Sequence, residues 1–155
     1  MAILTTTNEE RGLIAILCGF AAQCEMPDKD QIPCTIVIKM NQLDYGTSID
    51  LDIGGFSASG AGLTFAAAWK AMLDDKDFDR LTSDVIRPWL EKVTSLSTQE
   101  RSLITHLRRR AALKDPYTIV IAVNGEGRPG EWEVYEETQV NGVGDTFAIA
   151  WDERF

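Results

Sequence analysis

Histidine is nearly absent from this chain: His106 is the single imidazole in 155 residues. Zinc centres draw on several nitrogen and sulfur ligands, and an activated serine needs a base beside it, so most zinc sites and most hydrolytic triads are excluded at once. Cysteine is scarce too. Cys18, Cys24 and Cys34 form an odd count with no Cys-x-x-Cys pair. The first two lie six apart on one helical pattern, which points them in different directions. Reduced, buried thiols are expected, with no disulfide framework and no metal. Long apolar runs are missing as well: the segment from Gly12 to Ala22 falls short of the roughly 18 to 20 residues that span a bilayer. Glu9 and Glu10 precede it where a signal peptide carries positive charge. The expectation is a cytoplasmic protein without membrane contact.

Phosphate signatures fail in detail. Gly55-Phe-Ser-Ala-Ser-Gly60 is followed by Ala61 and Gly62, where a P-loop needs Lys and Ser/Thr. Gly60-x-Gly62 is followed by Phe65 where a dinucleotide fingerprint needs a third small residue. No Gly-x-Ser-x-Gly elbow surrounds Ser57 or Ser59. No internal repeat, low-complexity tract or dividing linker stands out, so residues 1–155 are expected to form one domain.

What is present is acid. The net charge is −9, unevenly placed. Residues 1–79 hold 5 Lys/Arg against 12 Asp/Glu, residues 80–114 hold 8 against 3, and residues 115–155 hold 2 against 9. Acidic ends around a basic middle repel a phosphate backbone over most of the surface but leave room for a local basic patch.

Hydrophobic patterning supplies the elements. Asn8 to about Glu25 reads as a helix that is apolar nearly all round, with Leu13, Ile16, Leu17, Phe20 and Cys24 as a bulky stripe and Ala15, Cys18, Gly19 and Ala22 as a small face. Cys34–Met40 is β-branched and reads as a strand, and Ser48–Ile53 alternates as a half-buried partner. Residues 54–62 read as a Gly/Ser loop before an Ala-rich helix at Leu63–Leu73. Ala67 and Ala71 on that helix are expected to meet the small face of the first, so that Ala22→Leu overpacks the contact. Phe78 to Leu96 is a helical pattern interrupted by Pro88. Ser97-Thr-Gln-Glu100 is a capping box that opens a helix to about Leu113. Tyr117–Asn124 is an unbroken apolar strand, expected at the centre of the sheet. Asn141-Gly142 signals a hairpin turn, and Thr146–Trp151 reads as a last strand with Phe147, Ile149 and Trp151 on one face. Residues 1–7 hold a β-prone Ile-Leu-Thr-Thr-Thr run. The fold expected is α+β, a single domain with about five strands in a mostly antiparallel or mixed sheet and about four helices packed against it.

Three functional readings follow. In the first, acids and aromatics interleaved in the C-terminal segment (Glu131, Trp132, Glu133, Tyr135, Glu136, Glu137 and Asp145) form a surface that docks a basic protein partner. Charge would steer the encounter and rings would anchor it. The chain would then be a small acidic, non-catalytic binding protein that blocks its partner stoichiometrically, in the manner of immunity, antitoxin-like or anti-defence inhibitors. In the second, Gly55, Ser57, Ser59, Gly60 and Gly62 hold a phosphate-bearing ligand at a helix N-terminus. In the third, Arg101, Arg108, Arg109 and Arg110 on the helix at 98–113 contact nucleic acid. Asp50 and Asp52, on one strand face, suit either a metal or plain solvation. No cofactor is called for.

Overall fold

Strand β1 (Cys34–Gln42) carries Cys34, Ile36, Ile38 and Met40 on one face, and all four are buried. This period-two burial needs a cover on that side, and the β-branched residues suit the extended backbone. Its neighbours are β2 (Gly46–Ile53) and β4 (Tyr117–Gly125), both antiparallel to it. In the computed structural model, β3 (Phe56–Gly62), β5 (Arg128–Glu136) and β6 (Gln139–Gly144) complete a six-stranded antiparallel sheet in the order β3-β2-β1-β4-β5-β6. The helices among the described residues are α1 (Asn8–Cys24), α2 (Phe65–Leu73), α3 (Thr98–Leu113) and α4 (Phe147–Glu153). The structure describes residues 7–24, 32–44, 46–75, 78, 96–125, 128–136 and 139–153. The patterns at 1–6, at 79–95 and around Pro88 lie outside them.

The fold is α+β, with one more strand than expected and only antiparallel pairs among the described residues. Three elements differ from the sequence reading. Residues 56–62 are strand β3, not a loop: Ala58 is buried opposite Leu51, and Gly60 and Gly62 follow it on the same face. A Cβ at Gly60 would collide with backbone atoms of Ala68 and Met72 in α2, so the glycines serve close packing of helix on strand. Asn141-Gly142 lies inside β6, where a Cβ on Gly142 would overlap the carbonyl of Ala150. Thr146–Trp151 is not a strand. Thr146 Oγ1 accepts from Ile149 N, and residues 147–153 are helical. The expected contact between Ala22 and Ala67/Ala71 is also replaced: Ala67 lies against Gly62 and Ala71 against Gly60, while α1 meets α2 where Gly12 leaves room for the Trp69 ring.

These corrections expose a repeat that the sequence reading missed. Gly60-Ala-Gly-Leu-Thr-Phe-Ala-Ala-Ala-Trp69 matches Gly142-Val-Gly-Asp-Thr-Phe-Ala-Ile-Ala-Trp151 at seven of ten positions. Thr35-Ile-Val-Ile38 recurs as Thr118-Ile-Val-Ile121, and Glu10-Arg-x-Leu-Ile-x-x-Leu17 recurs as Glu100-Arg-x-Leu-Ile-x-x-Leu107. The described elements form two copies of one helix–three strands–helix unit related by a pseudo-two-fold axis. The equivalent residues Val37 and Val120 face each other across β1 and β4, at the centre of a sheet order that reads the same from either end.

Finer detail obeys the same axis. Asn41 and Asn124 are repeat equivalents, both left-handed with φ of 59° and 57°, each beside a strand irregularity. Asn41 donates to the carbonyl of Asp115 at 3.0 Å, and Asn124 to that of Ile32 at 3.1 Å, so each clamps the chain entering the other half. The four helices among the described residues lie on one face of the sheet. Its opposite face, from Ser57 and Ser59 on β3 across Val37 and Val120 to Tyr135 on β5, carries no helix among the described residues.

Candidate functional site

Strand alternation separates the C-terminal acids and rings instead of gathering them. Trp132 points to the helices and is buried, with its ring centroid 6.5 Å from that of Phe20 and 6.0 Å from that of Phe147. Trp151 is buried beside it, against Phe147. Glu131, Glu133 and Tyr135 point to the opposite, outer face, where Glu133 is only 6% exposed. Glu136 returns to the helix side near α3, and Asp145 is exposed in the turn before α4. Glu137 lies outside the described residues. The continuous acidic–aromatic surface of the sequence reading is therefore divided in two, with its tryptophan in the core.

The outer face regains acid from the other half. Asp50 is exposed on β2, with Asp52 half-buried two residues on. Asp52 Oδ1 accepts from Gly55 N at 3.0 Å across the β2–β3 turn. Along the sheet this face runs Ser57 and Ser59, Asp50 and Asp52, Val37 with Lys39, Val120 with Ala122, then Glu131, Glu133 and Tyr135. Among its described side chains, Lys39 is the only cation against four carboxylates. The described part of this face therefore leans acidic, most openly at Asp50 and Asp52.

The segment of the phosphate reading is a turn and strand β3 in place of a Gly/Ser loop. Gly55 is in the turn with φ 90°, and Ser57 and Ser59 are exposed on the edge strand. Ser59 N donates to Asp75 Oδ2 at 3.1 Å, so that N–H is already taken by the chain's own carboxylate. Thr64 caps α2 by accepting from Ala67 N. Ser57 and Ser59 also face away from His106, which is on the helix side.

The Arg-rich helix is half committed internally. Arg108 binds Glu10 bidentately, and the Arg110 guanidinium lies 4.4 Å from the centroid of the Tyr117 ring. Arg101 and Arg109 are exposed. No group of three or more His, Cys, Asp or Glu among the described residues could hold a metal ion.

Two clusters escaped the sequence reading. In the first, His106 Nε2 is 2.8 Å from Tyr117 Oη and 3.4 Å from Glu136 Oε2, with the imidazole edge-on to Trp151. The repeat places apolar Ile16, Cys34 and Leu51 at the equivalent positions, so the polarity belongs to the second half alone. The second is a pocket of about 270 Å³ between α1, α3 and the start of α4, with Cys18, Glu100, Trp132, Asp145 and Phe147 in its walls. Burial, with the Glu100 carboxylate adding to it, pushes the Cys18 thiol up to about 11, so it stays protonated and weakly nucleophilic at neutral pH. Cys34 is buried and donates to the Ile32 carbonyl. The Cys24 side chain lies outside the described residues. Only the matching of Glu10 to Glu100 and of Cys18 to Arg108 could have pointed to this pocket in advance.

Comparison with known proteins adds no assignment. No family, curated protein or solved structure matches the chain. No helix among the described residues is long and apolar enough to cross a membrane.

Proposed function

We propose that this protein is a non-catalytic binding protein that docks a basic protein partner and blocks it stoichiometrically, as immunity, antitoxin-like or anti-defence inhibitors do. The observation that carries the reading is the outer sheet face, where Asp50 is exposed with Asp52 half-buried beside it and no described helix intervenes. A predominantly acidic face raises the encounter rate with an oppositely charged surface and disfavours acidic competitors. The net charge of −9 extends that bias beyond the face itself.

The test is capture on immobilised full-length chain from an extract of the native cell, with the retained protein identified. The same capture is then run with Asp50→Lys/Asp52→Lys. A basic protein held at low salt, released by salt and lost from the double variant supports the reading. A retained species indifferent to salt and to both substitutions contradicts it. So does substrate turnover that disappears when Ser57 or Ser59 is replaced by Ala.

A further inference from the structure

The two halves diverge where their symmetry asks for likeness, and the divergence has the shape of a ligand. In one half, Glu10 closes the capping box of α1: its Oε1 accepts from Thr7 N at 2.9 Å. The same carboxylate takes the guanidinium of Arg108, Nε to Oε2 at 2.7 Å and Nη2 to Oε1 at 2.6 Å. Burial alone would push Glu10 up, but Arg108 and the Thr7 hydrogen bonds outweigh it and hold the carboxyl below the ordinary glutamate range.

The repeat maps Glu10 onto Glu100 and Arg108 onto Cys18. Glu100 closes its own capping box in the same way, Oε1 accepting from Ser97 N at 2.8 Å. Its Oε2 has no hydrogen-bond partner among the described residues. Where the symmetry would set a guanidinium there is a thiol, and the pocket opens at that point. Trp132 and Phe147 supply aromatic walls, and Asp145 a second carboxylate. The volume of about 270 Å³ lies just under the roughly 300–1,000 Å³ of pockets for drug-sized ligands and suits one long side chain.

We propose that this pocket binds an arginine side chain of the basic partner polypeptide, in the place that Arg108 fills in the other half. The assignment takes the basic partner from the docking reading above but not its surface, since the pocket lies on the helix side of the sheet and the Asp50–Asp52 face on the other. A guanidinium is planar, weakly hydrated and able to stack on a ring while forking onto a carboxylate, so it satisfies Glu100 Oε2 and the aromatic walls together. An ammonium does the first well and the second poorly.

The experiment titrates the full chain with the capped tripeptide Gly-Arg-Gly and its Lys counterpart, reading the Trp132 indole N–H by NMR. The Arg peptide is expected to shift that resonance and to bind at least several-fold tighter than the Lys peptide. Glu100→Gln keeps the capping box, which glutamine also closes, and should weaken Arg-peptide binding about ten-fold. Cys18→Arg should plug the pocket from within, raising the thermal midpoint and abolishing peptide binding. Equal binding of the two peptides, no shift at Trp132, or undiminished binding in Glu100→Gln overturns the assignment. If the peptide fails while Asp50→Lys/Asp52→Lys still slows a captured partner, the pocket assignment falls and the docking reading stands. Peptide binding by a chain that captures no basic protein removes the outer-face reading and, with it, the partner named as the source of the arginine.

Discussion

The ion pair between Glu10 and Arg108 ties α1 to α3, residues 98 apart in sequence, and its strength depends on pH. Glu10 is held below the ordinary glutamate value in the fold. Its contribution is therefore complete above that ordinary value and is lost as pH falls through the depressed one. Because the Arg108 side chain is 42% exposed, solvent thins the pair to about 1 kcal/mol. Denaturant unfolding of Glu10→Gln should show that deficit at pH 7 and a difference that shrinks as pH falls below the ordinary glutamate range. A constant gap across the range would mean that the residue acts through packing. The second half holds its helix by a different bond: Trp151 Nε1 donates to Ser102 Oγ at 2.9 Å, where the first half has Gly12 against Trp69. Ser102→Ala should cost about 1 kcal/mol by thermal unfolding, the worth of a typical hydrogen bond. No change would show that the Trp151 indole finds another acceptor.

At the scale of elements, legibility followed side-chain chemistry. Helix α1, the capping box at Ser97 and the apolar strands β1 and β4 could be read because period and β-branching agreed there. Strand β3 could not. Ser57, Ala58, Ser59, Gly60 and Gly62 have poor strand propensity, and their small size answers α2 lying on them, a cause visible only in three dimensions. The same cause made Asn141-Gly142 look like a turn. Helix α4 was disguised by the two-residue spacing of Phe147, Ile149 and Trp151, although Thr146 is its cap. The repeat was present in the sequence, but its matches sit in three short blocks at unequal offsets, separated by strands that diverged. Gly60→Ala and Gly142→Ala should each destabilise by about 1–3 kcal/mol or more, since helix backbone and not a movable side chain blocks the new methyl. Ala at Gly55, where nothing lies within 4 Å, meets only the backbone penalty of its φ of 90°. If all three variants unfold alike, close helix-on-strand packing is not what the paired glycines serve.

At the scale of the whole molecule, duplication explains why so few residues could be assigned a role from sequence. Two copies of a unit build one sheet, and each half's clamp, cap and glycine pair has a structural counterpart. Function is then sought where the copies differ: in the acids distributed over the outer face, and in the vacancy beside Glu100 that Arg108 fills on the other side. The candidate site was barely legible because alternation along β5 sends Trp132 inward and Glu131 and Glu133 outward, which the run of letters does not show. Reversing charge at Glu133 or Glu136, as the sequence alone would suggest, strikes a buried and a half-buried side chain; Asp50 and Asp52 are the better reporters. The most direct measurement is the association rate constant of the captured partner with wild type and with Asp50→Lys/Asp52→Lys, across ionic strength. The account predicts a wild-type rate that falls steeply with salt and a variant at least ten-fold slower at low salt, converging at high salt. Equal rates at every ionic strength would contradict it.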